Sequence, residues 1–161
     1  MSLFGVKMKV TGLDKVPNDT TFVVVHNHLS NMDPIILNTV LKKYDLTFMA
    51  KKSLSKIPFF GKIVRKVGFL FLDRDNPTRD AFQIARGIKY LKSNTCSVAV
   101  APEGTRNFTN EVLLPFKDGS FIMATKAQKP VVVCVFKGTE KIKKIKVKTV
   151  RGWFRIMMVV Y

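Results

Sequence analysis

His28 and Asp33 lie five residues apart in the stretch Asn27-His28-Leu29-Ser30-Asn31-Met32-Asp33. An imidazole is the side chain best suited to exchange a proton near neutral pH. A carboxylate on one ring nitrogen fixes the tautomer and leaves the other nitrogen to act as a base. The stretch follows Phe22–Val25, an apolar run that reads as a strand, and leads into a helical pattern. Asp33 then sits at a helix start, where unpaired N–H groups gather and from which it can point back at the loop carrying His28. Spacing alone leaves a second reading open, in which Asp33 only caps the helix and His28 is an ordinary loop residue. His26, the other histidine, suits packing or hydrogen bonding at the strand end. Two histidines with no cysteine at ligand spacing make a poor zinc site, so no metal is expected.

Three further constellations carry polar chemistry. Ala101-Pro102-Glu103-Gly104-Thr105-Arg106 follows a second buried run. Gly104 permits a tight turn, Thr105 offers a hydroxyl, and Arg106 offers a two-pronged fork for phosphate. Glu103 would balance the arginine or hold a substrate hydroxyl. In Gly68-Phe69-Leu70-Phe71-Leu72-Asp73-Arg74 a strand delivers Asp73 and Arg74 to its C-terminal end, the edge at which α/β sheets bind ligands. In Phe116-Lys117-Asp118-Gly119-Ser120, Lys117 precedes a helix and would touch the same anion. Each has a plainer reading: a turn with a surface ion pair, a solvated charge pair, a solvated lysine.

The elements that must position these groups alternate. Strands are expected at Phe22–Val25, Leu46–Ala50, Phe69–Leu72, Ser97–Ala101 and Val131–Phe136, the last two buried on both faces. Helices are expected at Asn31–Tyr44, with Ser30 as its cap, at Leu54–Val67 despite Pro58 and Gly61, at Thr78–Leu91, and at Gly119–Ala127. In Leu54–Val67 the apolar stripe is Phe60, Ile63, Val64 and Val67. In Thr78–Leu91 it is Ala81, Ile84, Ala85, Ile88 and Leu91. The tail pieces Ile142–Val150 and Phe154–Val160 add antiparallel strands. Alternation of this kind predicts a single α/β domain over residues 1–161, with a largely parallel central sheet covered by helices.

The charge narrows the partners. Twenty-eight Lys and Arg face eleven Asp and Glu, a formal net charge of +17 over 161 residues. Such an excess attracts an anionic membrane surface, an acidic protein or nucleic acid. Nucleic acid is the poorest fit, because no binding motif appears and the lysines are spread along the chain. Lys51, Lys52, Lys56, Lys62, Arg65 and Lys66 flank Phe59 and Phe60, a pattern suited to the plane of a membrane interface. Apolar runs such as Val131–Phe136 fall far short of the ~20 residues of a spanning helix. No secretory leader pattern is present. Cys96 and Cys134 lie in apolar runs and are expected as reduced core residues. The expectation is a peripheral protein at the cytoplasmic face of a membrane.

Taken in order, the blocks resemble the 1-acyl-sn-glycerol-3-phosphate acyltransferase family, the glycerolipid acyltransferases marked by a His-x4-Asp motif. Residues 27–33 match the first block and residues 68–74 the Gly-x-x-Phe-x-x-Arg block, with Leu72 where Ile is commoner. Residues 102–106 match Pro-Glu-Gly-Thr-Arg, and Lys129-Pro130-Val131-Val132 is similar to the fourth block. The likeness runs from about residue 8 to about residue 137. It implies transfer of an acyl group from acyl-CoA or acyl carrier protein, with no cofactor beyond that thioester, to a lysophospholipid hydroxyl. It further implies His28 and Asp33 as catalytic residues. Arg74, Arg106 and Lys117 would hold the acceptor phosphate, and Glu103, Gly104 and Thr105 would shape the glycerol site. Glycerol-3-phosphate or another lysophospholipid is the alternative acceptor; a non-catalytic lipid-binding module is an alternative of another class, against which the intact His28 and Asp33 stand. Many members of the family carry hydrophobic helices ahead of the first block, and residues 1–26 are not expected to form one.

Overall fold

The computed structural model describes residues 2–3, 6–73, 75–144 and 155–160. Its strands are β1 (Ser2–Leu3), β2 (Val6–Thr11), β3 (Val23–His26), β4 (Leu46–Lys51), β5 (Leu70–Leu72), β6 (Ser97–Val100), β7 (Val131–Lys137) and β8 (Arg155–Val160). Its α-helices are α1 (Asp33–Val40), α2 (Phe60–Lys66), α3 (Pro77–Lys92) and α4 (Ile122–Ala127). They build one sheet in the order β1-β2-β8-β7-β3-β6-β4-β5.

Valine runs make the centre. Branching at Cβ favours extended backbone, and β3 and β6 are buried at every residue. The two are adjacent and parallel, and β7, β4 and β5 extend the parallel set to five strands. The tail strand β8 runs antiparallel to β7, as expected, and pairs parallel with β2. The other tail piece begins instead in a 3-10 helix, Thr139–Lys144, and its residues 145–150 lie outside the described ones.

Phe22, Val24, Ile36, Leu37 and Phe136 pack on the face covered by α1. Val23, Val25, Leu91, Val98 and Met123 pack on the other, under α3 and α4. Burying a side chain of this size contributes roughly 1.5–3 kcal/mol. Gly87 lets α3 and α4 meet closely, since a Cβ there would sit 2.5 Å from Met123 Sδ.

Several expectations change in detail. The segment expected as one helix over 54–67 is a 3-10 helix at Lys52–Lys56, a break, and α2. Pro58 cannot continue the hydrogen-bond ladder, and Phe59 turns to φ 59°. Of the expected stripe only Val64 is buried; Ile63 and Val67 face solvent, and the Phe60 side chain is outside the description. In α3 the buried positions are Gly87 and Leu91, and Ala81 and Ala85 are exposed. The first helix is shorter than Asn31–Tyr44 and its cap is Met32, not Ser30. β7 is buried only at Val132, Cys134 and Phe136; Val131, Val133 and Val135 are exposed. Cys134 is a core thiol whose pKa burial pushes up to about 12. Cys96, one residue ahead of β6, is half-buried.

This topology places a switch point between β3 and β6. From β3 the chain passes through α1 on one face to β4. From β6 it passes through α4 on the opposite face to β7. The loops after these two adjacent strands therefore diverge, and ligands bind at such a point beyond the C-terminal strand ends.

Candidate active site

His28 stands two residues beyond β3, on the loop into α1. Its Nδ1 is 2.9 Å from Asp33 Oδ2. That same oxygen accepts the backbone N–H groups of Leu29 at 2.8 Å and Ser30 at 2.7 Å. Asp33 is fully buried and lies in the first turn of α1, where the helix dipole favours negative charge. Three donors on one carboxylate oxygen stabilise the anion. An ionised Asp33 requires Nδ1 of His28 to carry its proton, so Nε2 has a free lone pair. The His28 side chain keeps 23% of its surface exposed, and so is open to a reactant. Asp33 thus contacts the His28 ring as well as the backbone N–H groups ahead of the helix.

A second tie comes from the loop after β6. Glu103 is buried, and its Oε1 accepts the His28 backbone N–H at 3.1 Å while Oε2 accepts that of Leu114 at 2.9 Å. The Asn107 backbone N–H donates to the His28 carbonyl at 2.8 Å. The loop thus grips His28 by both of its backbone polar groups.

A family model described as Acyltransferase matches residues 7–137. The chain belongs to the acyltransferase family. Among its relatives, the 1-acyl-sn-glycerol-3-phosphate acyltransferase of Saccharomyces cerevisiae is 33% identical over 138 residues, covering 85% of this chain and 45% of the relative. That of Escherichia coli strain K12 is 34% identical over 141 residues, covering 87% of this chain and 57% of the relative. The crystal structure of the 1-acyl-sn-glycerophosphate acyltransferase PlsC from Thermotoga maritima superposes with a TM-score of 0.73 at 30% identity, covering 96% of this chain and 59% of that one. The chain spans about half the length of the curated relatives it matches.

The remaining expected site residues fall out unevenly. Gly104 takes φ 67° in the turn after β6, and Thr105 beside it is exposed. The Arg106 guanidinium lies 4.5 Å above the ring centre of Phe108, which orients the fork on the loop after β6. Lys117 is exposed, with its backbone N–H bound to the Pro102 carbonyl at 2.9 Å. Its loop therefore begins and ends beside the β6 terminus. Arg74 lies outside the described residues. Next to it, Asp73 pairs with Lys52, and that contact holds the Asp73 carboxyl below the usual carboxylate range. Glu103 uses one oxygen on the backbone N–H of His28 and the other on that of Leu114, a bracing contact that the sequence did not signal.

Asn27 carries a role that the sequence did not signal. Its amide donates to the Phe136 carbonyl at 3.0 Å and accepts the Phe136 N–H at 2.7 Å. The side chain mimics a peptide and locks the His28 loop to β7. A buried Asn beside a strand end was the available hint. His26 is as expected: it is buried, its Nδ1 is 2.8 Å from the Asn27 carbonyl, and its ring meets those of Phe136 and His28 edge-on. Burial pushes its pKa below the ordinary histidine value.

Proposed function

We propose that this acyltransferase moves a fatty acyl group from a thioester to the free hydroxyl of 1-acyl-sn-glycerol-3-phosphate, giving phosphatidic acid in phospholipid biosynthesis. The observation that carries the reading is His28 Nδ1 at 2.9 Å from a buried Asp33, with Nε2 left open. The activity named for relatives at 33–34% identity supports the acceptor.

The step follows from these groups. The acceptor oxygen attacks the thioester carbonyl carbon as Nε2 of His28 takes its proton. Asp33 stabilises the imidazolium that results. The tetrahedral intermediate collapses, the C–S bond breaks, and the thiolate leaves with the proton returned by His28. The products are an ester and a free thiol. No serine or cysteine nucleophile is required, because the thioester is already activated. General-base help of this kind is worth about 10²–10⁴-fold. Arg106 and Lys117, with Arg74, would dock the acceptor phosphate. The donor is acyl-CoA or an acidic acyl carrier protein, either of which suits a net charge of +17.

No helix among the described residues is long and apolar enough to cross a membrane. The place proposed is a cytoplasmic membrane face, which the two free cysteines suit.

Thiol release from acyl-CoA tests the proposal. Release should depend on added lysophosphatidic acid and far exceed that with glycerol-3-phosphate. Release only with glycerol-3-phosphate would move the assignment to that acceptor, and none with any acceptor from either acyl-CoA or acyl carrier protein would refute it.

A further inference from the structure

Two segments with large exposed apolar side chains leave the sheet at the same end as His28. The first follows β4 and runs through Lys52–Lys56 into α2. The second is the loop from β6 to Lys117. Strands β3, β6 and β4 are adjacent and parallel, so the three segments emerge together at their C-terminal ends.

In the first segment Phe59 is 83% exposed, and Ile63 and Val67 are exposed as well. Phe59 stands at φ 59° and ψ −58°, a conformation bulky L-residues rarely adopt. The turn around it is tightly built: the Gly61 N–H bonds the Ile57 carbonyl at 2.7 Å, and a Cβ on Gly61 would lie 2.2 Å from the Ser55 carbonyl oxygen. The backbone thus holds the ring outward. In the second segment Val112 is 86% exposed, with Phe108 and Leu113 also exposed. Clusters of this kind mark surfaces that meet another apolar phase.

Charge identifies that phase. Residues 46–72 hold six Lys and Arg and no Asp or Glu. Basic side chains interleaved with outward apolar ones match an anionic lipid surface, where each cation gains from the headgroups while the apolar groups sink below them. An acidic protein partner would answer the lysines but not the apolar tips.

We propose that Phe59 and Ile63 from the segment after β4 and Phe108, Val112 and Leu113 from the loop after β6 insert into an anionic lipid surface, so that the acceptor reaches His28 laterally from the leaflet. The inference rests on the acyltransferase reading for the identity of the acceptor alone.

The test uses the full chain and sedimentation with phosphatidylcholine vesicles containing phosphatidylglycerol. Phe59→Asp and the pair Val112→Asp with Leu113→Asp should each cut vesicle binding at least tenfold. Turnover on vesicle-borne lysophosphatidate should fall in step. Turnover on a short-chain lysophosphatidate, kept monomeric in solution, should not change. Phe59→Ser, which adds no charge, should also weaken binding; a loss confined to the aspartate variants would mean repulsion rather than insertion and would overturn the proposal. Unchanged vesicle binding would overturn it, as would equal loss of turnover on both acceptors, since the segments would then shape the site. Should the wild type turn over neither acceptor, the acyltransferase reading fails while the vesicle measurements still decide the docking.

Discussion

Glu103 Oε1 and the backbone N–H of His28 stand 3.1 Å apart, across two loops that follow adjacent strands. With Oε2 on the Leu114 N–H, one buried carboxylate sets the spacing between the histidine and the loop that carries Arg106. The proposed base and the proposed phosphate fork are therefore tied to each other through Glu103. Such support matters because a displacement of about 1 Å can cost on the order of 10² in rate.

Glu103→Gln tests that role. The amide keeps one acceptor and turns the other into a donor facing an N–H, leaving a buried mismatch worth about 1–3 kcal/mol. The expected result is a fall in kcat at an unchanged acceptor KM. A raised KM at constant kcat would place Glu103 on the acceptor instead.

Arg106→Ala should act the other way. A charge-assisted hydrogen bond is worth about 1.5–3 kcal/mol, so acceptor KM should rise roughly 10- to 150-fold with a smaller change in kcat. Steady-state kinetics with lysophosphatidic acid as the varied substrate measure it, and an unaltered KM would remove Arg106 from the phosphate site.

His26 should make the fold acid-sensitive. Burial lowers its pKa in the folded chain, so below the unfolded value of about 6.5 the unfolded chain takes up a proton that the folded one does not. Its contribution is present in full above that pH and is lost as pH falls beneath it. Melting temperature should drop between pH 7 and pH 5, and His26→Gln should flatten part of that slope. Parallel slopes in the two proteins would show that His26 does not titrate in this range.

Much of the architecture could be read from local pattern. The valine run of β3 and the long amphipathic α3 announce themselves because both depend on neighbours in the chain. The His28–Asp33 pair was legible for the same reason, since both groups sit on one loop-to-helix junction. The segment over 54–67 misled because apolar spacing continues across Pro58, where the backbone cannot. The role of Glu103 was hidden because Leu114 lies eleven residues on, in a loop without periodicity. The Asn27 link to Phe136 spans 109 residues and exists only once β3 and β7 pair. The one-sided burial of β7 depends on how far α3 and α4 reach, which no strand pattern encodes.

Nε2 of His28, with Asp33 behind Nδ1, is proposed to remove the acceptor proton. The most direct test is the rate of thiol release from acyl-CoA with lysophosphatidic acid by His28→Ala, in protein whose melting temperature matches the wild type. The expected loss is about 10²–10⁴-fold in kcat, the range of general-base catalysis. Turnover within a few-fold of wild type in that folded variant would contradict it.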